Sequence, residues 1–174
     1  KLVSLGVNVF IDLKLHDIPN TVKEGVRALT SLGVRMLTVH CAGGLAMLKA
    51  AREGVEQACG QSAPPLLVGV TQLTSTSQQV MNEEIGIPGS IEQTVQRYAR
   101  LAQQAGLDGV VCSVKEVSML KQVCGTSFVT VTPGIRPLGL ARDDQVRVST
   151  PQEALQNGSD FLVVGRPIIQ GENP

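Results

Sequence analysis

Short apolar segments alternate along this chain with stretches that have the period of an amphipathic helix, and each apolar segment ends in glycine, proline or polar residues. Strands that are apolar on both faces and alternate with helices form parallel βα units. The pattern therefore predicts the α/β class, and polar residues after every strand favour a (β/α)8 TIM barrel over a doubly wound sheet. The six predicted strands cover residues 7–14, 36–40, 66–70, 109–112, 128–131 and 161–164.

Helix boundaries are marked by capping residues. Ser90 with Gln93 three positions later predicts a capping box, and Thr150 followed by Pro151 predicts an N-cap with proline at the first helical position. We expect residues 138–149 to form an irregular loop. The predicted helices cover residues 22–32, 45–58, 90–105, 115–123 and 151–157.

A complete barrel of this type has eight βα units in about 250 residues. Only six units are predicted here, and Lys1 to Gly6 has the pattern of the end of a helix with Gly6 as its C-cap. We therefore expect residues 1–174 to form a single (β/α) barrel domain that lacks the first two βα units and the last helix.

Composition excludes several classes of function. Fifteen basic and fifteen acidic residues give a net charge of zero, which argues against a nucleic-acid-binding protein. No apolar run reaches the roughly 18 residues of a membrane-spanning helix. His16 and His40 lack metal-ligand spacing to any cysteine, so no zinc site is predicted. The four cysteines form no Cys-x-x-Cys pair, which favours a reducing, cytoplasmic compartment: Cys41, Cys59, Cys112 and Cys124.

Two carboxylates and an ammonium lie within six residues, at Asp12, Lys14 and Asp17. Residues two apart on a strand share a face, so Asp12 and Lys14 are expected side by side, with Asp17 just beyond in a loop closed by Pro19. The opposite, aliphatic face is expected to pack on helices. Burying charges is costly unless they are paired. The cluster is either a salt bridge at a strand end or a catalytic cluster at the mouth of a barrel.

Gly165 and Arg166 follow the last predicted strand, where barrels of this kind often bind phosphate. Glycine allows close backbone approach, and a guanidinium offers a bidentate fork for phosphate oxygens. Arg136 lies in a Pro-Gly-Ile-Arg-Pro turn that would hold its side chain in place. The alternative is that Gly165 is a turn residue and that both arginines are surface charges. No dinucleotide fingerprint or P-loop is present.

Two further polar residues lie at predicted strand ends. Thr74 offers a hydroxyl that would contact a polar ring, or it would cap a helix. His40 is expected to be a packed, hydrogen-bonded histidine rather than a catalytic one.

Three motifs now support a family resemblance. The segment F-I-D-L-K-L-H-D-I-P-N-T, from Phe10 to Thr21, resembles the signature of the orotidine 5′-phosphate decarboxylase family. V-T-P-G-I-R-P and V-V-G-R-P-I follow in the order that the family shows, and the similarity extends over the whole chain. The resemblance implies a (β/α)8 barrel that decarboxylates orotidine 5′-phosphate to UMP without metal or organic cofactor. It also implies a homodimer with shared active sites.

The resemblance also implies roles for the charged cluster. Lys14 matches the lysine that protonates C6 of the pyrimidine as carbon dioxide leaves, and Asp12 matches the aspartate set against the substrate carboxylate. Asp17 matches the aspartate that reaches the partner subunit's site and hydrogen-bonds ribose. The two aspartates would keep Lys14 charged.

Substrate contacts are implied in the same way. Thr21 matches a ribose or partner-side contact, and Thr74 matches a residue that faces the pyrimidine. The phosphate-binding set is matched by Arg136, Gln145, Gly165 and Arg166.

The family also uses an aspartate on the first barrel strand and a lysine on the second, and neither strand is in this sequence. Two alternative functions stay open. One is the magnesium-dependent sugar-phosphate decarboxylases and synthases of the same suprafamily, which share D-x-K-x-x-D. The other is a barrel fragment that is not catalytic.

Overall fold

The computed structural model describes residues 1–60, 63–136 and 149–170. The chain divides into two compact units, one made of Lys1–Thr71 with Tyr98–Val110 and the other of Gln72–Arg97 with Val111–Pro174.

The first unit contains most of the regular strands. Short 3-10 helices lie at Val3–Leu5 and Cys41–Gly43. The longer elements are β1 (Phe10–Leu15), α1 (Pro19–Thr30), β2 (Met36–His40), α2 (Gly44–Cys59), β3 (Leu66–Val70), the second half of α3 (Ile91–Gln104) and β4 (Gly109–Val111), whose last residue is assigned to the second unit.

The second unit contains a π-helix and the shorter elements. They are the π-helix Val80–Glu84, α4 (Val114–Cys124), β5 (Val129–Thr132), α5 (Pro151–Gln156), β6 (Phe161–Leu162) and α6 (Arg166–Ile169).

Parallel pairing organises the first unit. β2 and β3 pair without interruption from Met36 opposite Leu66 to His40 opposite Val70. β1 also runs parallel to β2, but its register shifts after Ile11, which pairs with Leu37, so that Leu15 pairs with Val39. Four positions of β1 are thus taken up against two of β2. This bulge falls on the charged segment and redirects its side chains.

The core of the first unit lies between the strands and the two helices α1 and α2. Val26 of α1 and Val55 of α2 are fully buried. The helices approach so closely that a Cβ on Gly54 would lie 2.5 Å from the carbonyl oxygen of Lys23. Burial of these apolar faces is the main favourable contribution to folding.

In the second unit, β5 runs parallel to β6, with Val131 opposite Phe161 and Thr132 opposite Leu162. A small core joins the helices to these strands, and its buried residues are Val114, Ile135 and Ala154, with Leu162 and Val164 packed against them.

Most predicted elements are confirmed, because their periodic patterns agree with their caps. Thr150 and Pro151 begin α5 as expected, and Thr150 forms a complete capping box with Glu153. Ser90 and Gln93 exchange the two hydrogen bonds of a capping box at 3.2 Å each. Gly6 takes the left-handed conformation of a C-cap.

Four differences concern the functional segments. β1 begins at Phe10, and β6 ends at Leu162. α1 begins at Pro19, earlier than predicted, because proline at the first helical position has the required φ and needs no hydrogen-bond partner. Leu13, predicted on the buried aliphatic face, is 60% exposed, because the bulge breaks the two-residue alternation. Most of the predicted loop 138–149 lies outside the described residues.

The same aspartate clamp occurs once in each unit. In the first, Asp108 donates its backbone N–H to the Leu67 carbonyl at 3.0 Å. Its carboxylate accepts the Leu67 N–H at 2.8 Å and pairs with Arg52 at 2.6 Å. In each clamp an aspartate just before one strand satisfies the start of the preceding strand and neutralises a cation of a preceding helix.

In the second unit, Asp160 donates its N–H to the Thr130 carbonyl at 3.1 Å. Its carboxylate accepts the Thr130 N–H at 2.7 Å and pairs with Lys121 at 2.6 Å. Burial alone would raise the pKa of Asp160, but the hydrogen bonds from Lys121 and Thr130 and the Lys121 charge outweigh it, so the pKa lies below its usual value.

Replacing Asp160 with asparagine should therefore destabilise the fold in a pH-dependent way. We expect Asp160→Asn to lower the free energy of unfolding by about 1 kcal/mol near pH 7, since the carboxylate is partly exposed. Because folding depresses this pKa, the contribution is present above the ordinary value of 3.8 and is lost as the pH falls through the folded value.

Denaturant unfolding across that pH range measures the effect. Glu53→Gln, which removes an exposed carboxylate from α2, is the matched control and should change little. A stability difference between wild type and Asp160→Asn that stays constant with pH would contradict the clamp.

Candidate active site

Asp12 and Lys14 form an ion pair at the end of β1. The Lys14 ammonium Nζ donates to Asp12 Oδ2 at 2.7 Å. The side chains are 37% and 42% exposed for Lys14 and Asp12, so neither charge is buried. The predicted side-by-side placement is therefore confirmed, and both groups remain accessible to a ligand.

Thr38 of β2 fixes this pair from the adjacent strand. Its hydroxyl donates to Asp12 Oδ1 at 2.9 Å and accepts the backbone N–H of Lys14 at 2.9 Å. Thr38 is only 1% exposed. One buried hydroxyl thus uses its donor and an acceptor to hold both charged residues.

The backbone of Lys14 is strained. Its φ is 52°, the only positive value for a non-glycine residue in the described part of the chain. A left-handed conformation outside glycine costs about 1–3 kcal/mol and persists only where surrounding contacts impose it. Such outliers cluster at functional sites. Here the conformation occurs within the bulge of β1 and is held by the hydrogen bond from the Lys14 N–H to Thr38.

Two histidine rings stack beside the charged pair. His16 and His40 have ring centroids 5.4 Å apart and ring planes 25° apart. Burial lowers the pKa of His40, and the charges of His16 and Lys14 lower it further. The expected packing of His40 is confirmed, but the expected hydrogen bonding is wrong for Nδ1, which is buried without a partner. The ring gains aromatic contact instead.

Asp17 and Thr21 lie beyond the strand and are exposed. Asp17 Oδ1 accepts the backbone N–H of Ile18 at 2.7 Å. Among the described residues, Asp12 is the only carboxylate within ion-pair distance of Lys14. The expected pairing of Asp12 with Lys14 is therefore met, whereas the role of Asp17, which the resemblance places in a partner subunit's site, stays a prediction. Thr21 lies in the first turn of α1.

The predicted substrate-binding residues of the second unit have distinct settings. Thr74 is 7% exposed and Arg136 is 8% exposed. Arg136 Nη1 donates to the Ile135 carbonyl at 3.0 Å, and its backbone N–H donates to Ser149 at 2.9 Å. The alternative of a surface charge is thus wrong for Arg136, which is held in place as the flanking prolines predict.

Gly165 and Arg166 lie at a short helix rather than in an open loop. Gly165 is the N-cap residue of α6, and Arg166 is its first residue. Both are partly buried, and a Cβ on Gly165 would meet no atom within 4 Å. The backbone there is open to close approach by a ligand. Gln145, the remaining member of the predicted phosphate set, lies outside the described residues.

Two contacts of β2 were not predicted from the sequence, the bonds of Thr38 to β1 and the stacking of His40 on His16. Thr38 and His40 are two positions apart on β2 and share a face of that strand, and β1 is its neighbour in the sheet. The available signal was a threonine and a histidine two apart in an otherwise apolar strand, next to a strand with the same spacing of charges. Only the pairing of β1 with β2 shows that these two patterns meet.

The described residues contain no group of three or more histidine, cysteine, aspartate or glutamate side chains arranged to hold a metal ion. No helix in the described ranges is both long and apolar enough to cross a membrane.

Comparisons with known proteins identify the family of the chain. Residues 1–174 match the family described as orotidine 5′-phosphate decarboxylase/HUMPS. The orotidine 5′-phosphate decarboxylase of Bacillus cereus (strain AH820) is 54% identical over 170 residues, which cover 97% of this chain and 71% of that protein. The enzyme of Bacillus mycoides (strain KBAB4) has the same identity and coverage.

Solved structures give the same result for the fold. The crystal structure of orotidine 5′-phosphate decarboxylase from Lactobacillus acidophilus superposes with a TM-score of 0.88 at 40% identity, covering 99% of this chain and 73% of that one. An uncharacterized conserved protein from Geobacillus kaustophilus gives a TM-score of 0.86 at 41% identity, covering 99% and 74%. The predicted α/β class, with parallel strands of a partial (β/α)8 barrel, is confirmed. The chain belongs to the orotidine 5′-phosphate decarboxylase/HUMPS family.

Proposed function

We propose that the Asp12–Lys14 pair is the centre at which this carboxy-lyase of pyrimidine biosynthesis converts orotidine 5′-phosphate to UMP. The activity follows from the family and from relatives that are 54% identical. The observation that carries the residue assignment is the Lys14 ammonium 2.7 Å from Asp12 Oδ2, on a residue whose strained backbone donates its N–H to Thr38.

Lys14 has the chemistry that the reaction needs. Loss of carbon dioxide leaves an electron pair on C6 of the pyrimidine ring, and a positioned ammonium both stabilises that charge and donates a proton to the carbon. The Lys14 side chain is 37% exposed, so the ammonium is accessible to a substrate.

Asp12 has two roles in this proposal. It holds the Lys14 ammonium through Oδ2. Its negative charge also repels the substrate carboxylate, and this repulsion is relieved when carbon dioxide leaves. Thr38 fixes the other carboxylate oxygen, so the aspartate is oriented before the substrate binds. Preorganisation of this kind lowers the reorganisation that the reaction requires.

The substrate phosphate is proposed to bind Arg166 and the Gly165 amide, with Arg136 and Gln145 completing the contacts. Arg136 supports this assignment because its guanidinium is anchored. Phosphate binding far from the reacting carbon provides energy that positions the ring. Thr74 is proposed to face the pyrimidine, and its burial within a polar strand end fits that role.

The active unit is proposed to be a homodimer with shared sites. Asp17 and Thr21 are exposed and lie past the strand end, where they can reach the ribose in a neighbouring subunit's site. A cytoplasmic location is also proposed. All four cysteines are free thiols, which supports a reducing compartment.

Lys14→Ala should remove the proton donor. In a protein that carries these residues, we expect UMP formation to fall by at least about 10²- to 10⁴-fold, the usual contribution of general acid catalysis, with the fold intact by circular dichroism. Lys49→Ala, at an exposed lysine of α2, is the control. Turnover near that of wild type would refute the role of Lys14.

Adding a chelator to the wild type distinguishes the proposed function from the magnesium-dependent sugar-phosphate enzymes, because only the latter would lose activity.

Arg166→Ala should weaken binding of the phosphate. Losing one charge-assisted contact costs about 2–4 kcal/mol of transition-state binding, so kcat/KM for orotidine 5′-phosphate should fall about 30- to 1,000-fold. Orotidine, which has no phosphate, should be almost unaffected, and Arg100→Ala is the exposed control. Equal losses with the two substrates would make Arg166 a structural residue.

Mixed inactive variants test the shared sites. Lys14→Ala and Asp17→Ala chains are each expected to be inactive alone. After subunit exchange, a hybrid dimer rebuilds one site free of both lesions, so decarboxylation should reappear. If each active site is built from one chain only, no activity should return. Mass spectrometry of the mixed dimers verifies that subunits have exchanged.

A further inference from the structure

Hydrogen bonding of Nδ1 does not explain why a histidine occupies position 40. Its Nδ1 atom is buried without a partner, although burying an unpaired polar atom is unfavourable. The contact that the ring does make is the stack on His16, with centroids 5.4 Å apart and nearly parallel planes. The contact described for this ring is therefore aromatic rather than polar.

The stack lies next to the strained residue. His16 follows Lys14 by two positions and precedes Asp17, so whatever holds the His16 ring also restrains this segment. On the other side, the Lys14 N–H is bound by Thr38 at 2.9 Å. Thr38 and His40 are two apart on β2 and share a face. β2 therefore contacts the segment at two points, at the left-handed Lys14 through Thr38 and at His16 through His40.

We propose that the stacked pair His16–His40 is a positioning device that holds Lys14 and its segment in the geometry needed for proton transfer. The proposal deepens the function proposed above and rests on Lys14 being the proton donor. It assigns no proton to either ring. Burial and the charges of His16 and Lys14 lower the pKa of His40, which favours the uncharged form of its ring. A neutral ring can remain stacked beside an ammonium.

Substitutions at His40 separate the ring from its nitrogens. His40→Ala removes the stack, whereas His40→Phe keeps a flat ring and removes the unpaired Nδ1 atom. We expect His40→Ala to lower kcat about 10- to 100-fold, because small displacements of a reacting group have effects of this size. KM, set largely by phosphate contacts, should change less than about threefold. His40→Phe should recover most of kcat.

A double-mutant cycle tests the pairing. His16→Ala removes the same stack from the exposed partner, so it should reproduce the loss, and the double variant should be no worse than either single one. It also keeps the test decisive if His40→Ala fails to fold. Additive losses would mean that the rings act separately and would overturn the proposal.

Amide exchange provides a readout that does not depend on activity. Losing the stack should speed exchange of the Lys14 amide and its segment by about tenfold, while the amides of β3 stay protected. His40→Phe should restore protection. If His40→Phe behaves like His40→Ala, or if His40→Ala leaves both exchange and kcat unchanged, the proposal is wrong. A wild type without decarboxylase activity would refute the proposed function alone, since the exchange comparison still decides the role of the stack.

Discussion

The hydroxyl of Thr38 is the contact on which the site depends. It donates to the carboxylate of Asp12 and accepts the backbone N–H of Lys14, and it is almost completely buried. These two bonds join β1 to β2 where the regular ladder is broken by the bulge. A bulge without such a replacement would leave polar backbone groups unpaired. The side-chain bonds thus permit the irregular strand that presents the charges.

The left-handed Lys14 and the stacked histidines extend the same principle. A strained backbone costs free energy, so its surroundings must hold it more strongly than the strain opposes it. From β2, Thr38 accepts the N–H of the strained residue itself, and His40 stacks on His16, two residues later in the chain. The ammonium is then carried by a strand rather than by a loop, which suits the proton donor proposed for this position.

The stabilising clamp and the proposed catalytic pair lie at opposite ends of the strands in the first unit. The clamp of Asp108 satisfies the beginnings of β3 and β4, whereas the Asp12–Lys14 pair lies at the end of β1. The second unit repeats the clamp with Asp160. Separating the two tasks lets residues at the strand ends be chosen for reactivity, because the fold is held by contacts elsewhere.

The sequence by itself determined the alternation of strands and helices, their caps and the charged segment, because periodicity and capping are local properties. It also placed Asp12 beside Lys14 and indicated that Arg136 is held in place. Tertiary structure decided what depends on strand pairing: the bulge that exposes Leu13, the role of Thr38 and the stack of His16 on His40. Those contacts join residues 24 or more positions apart, and no local pattern records which atoms of two strands meet.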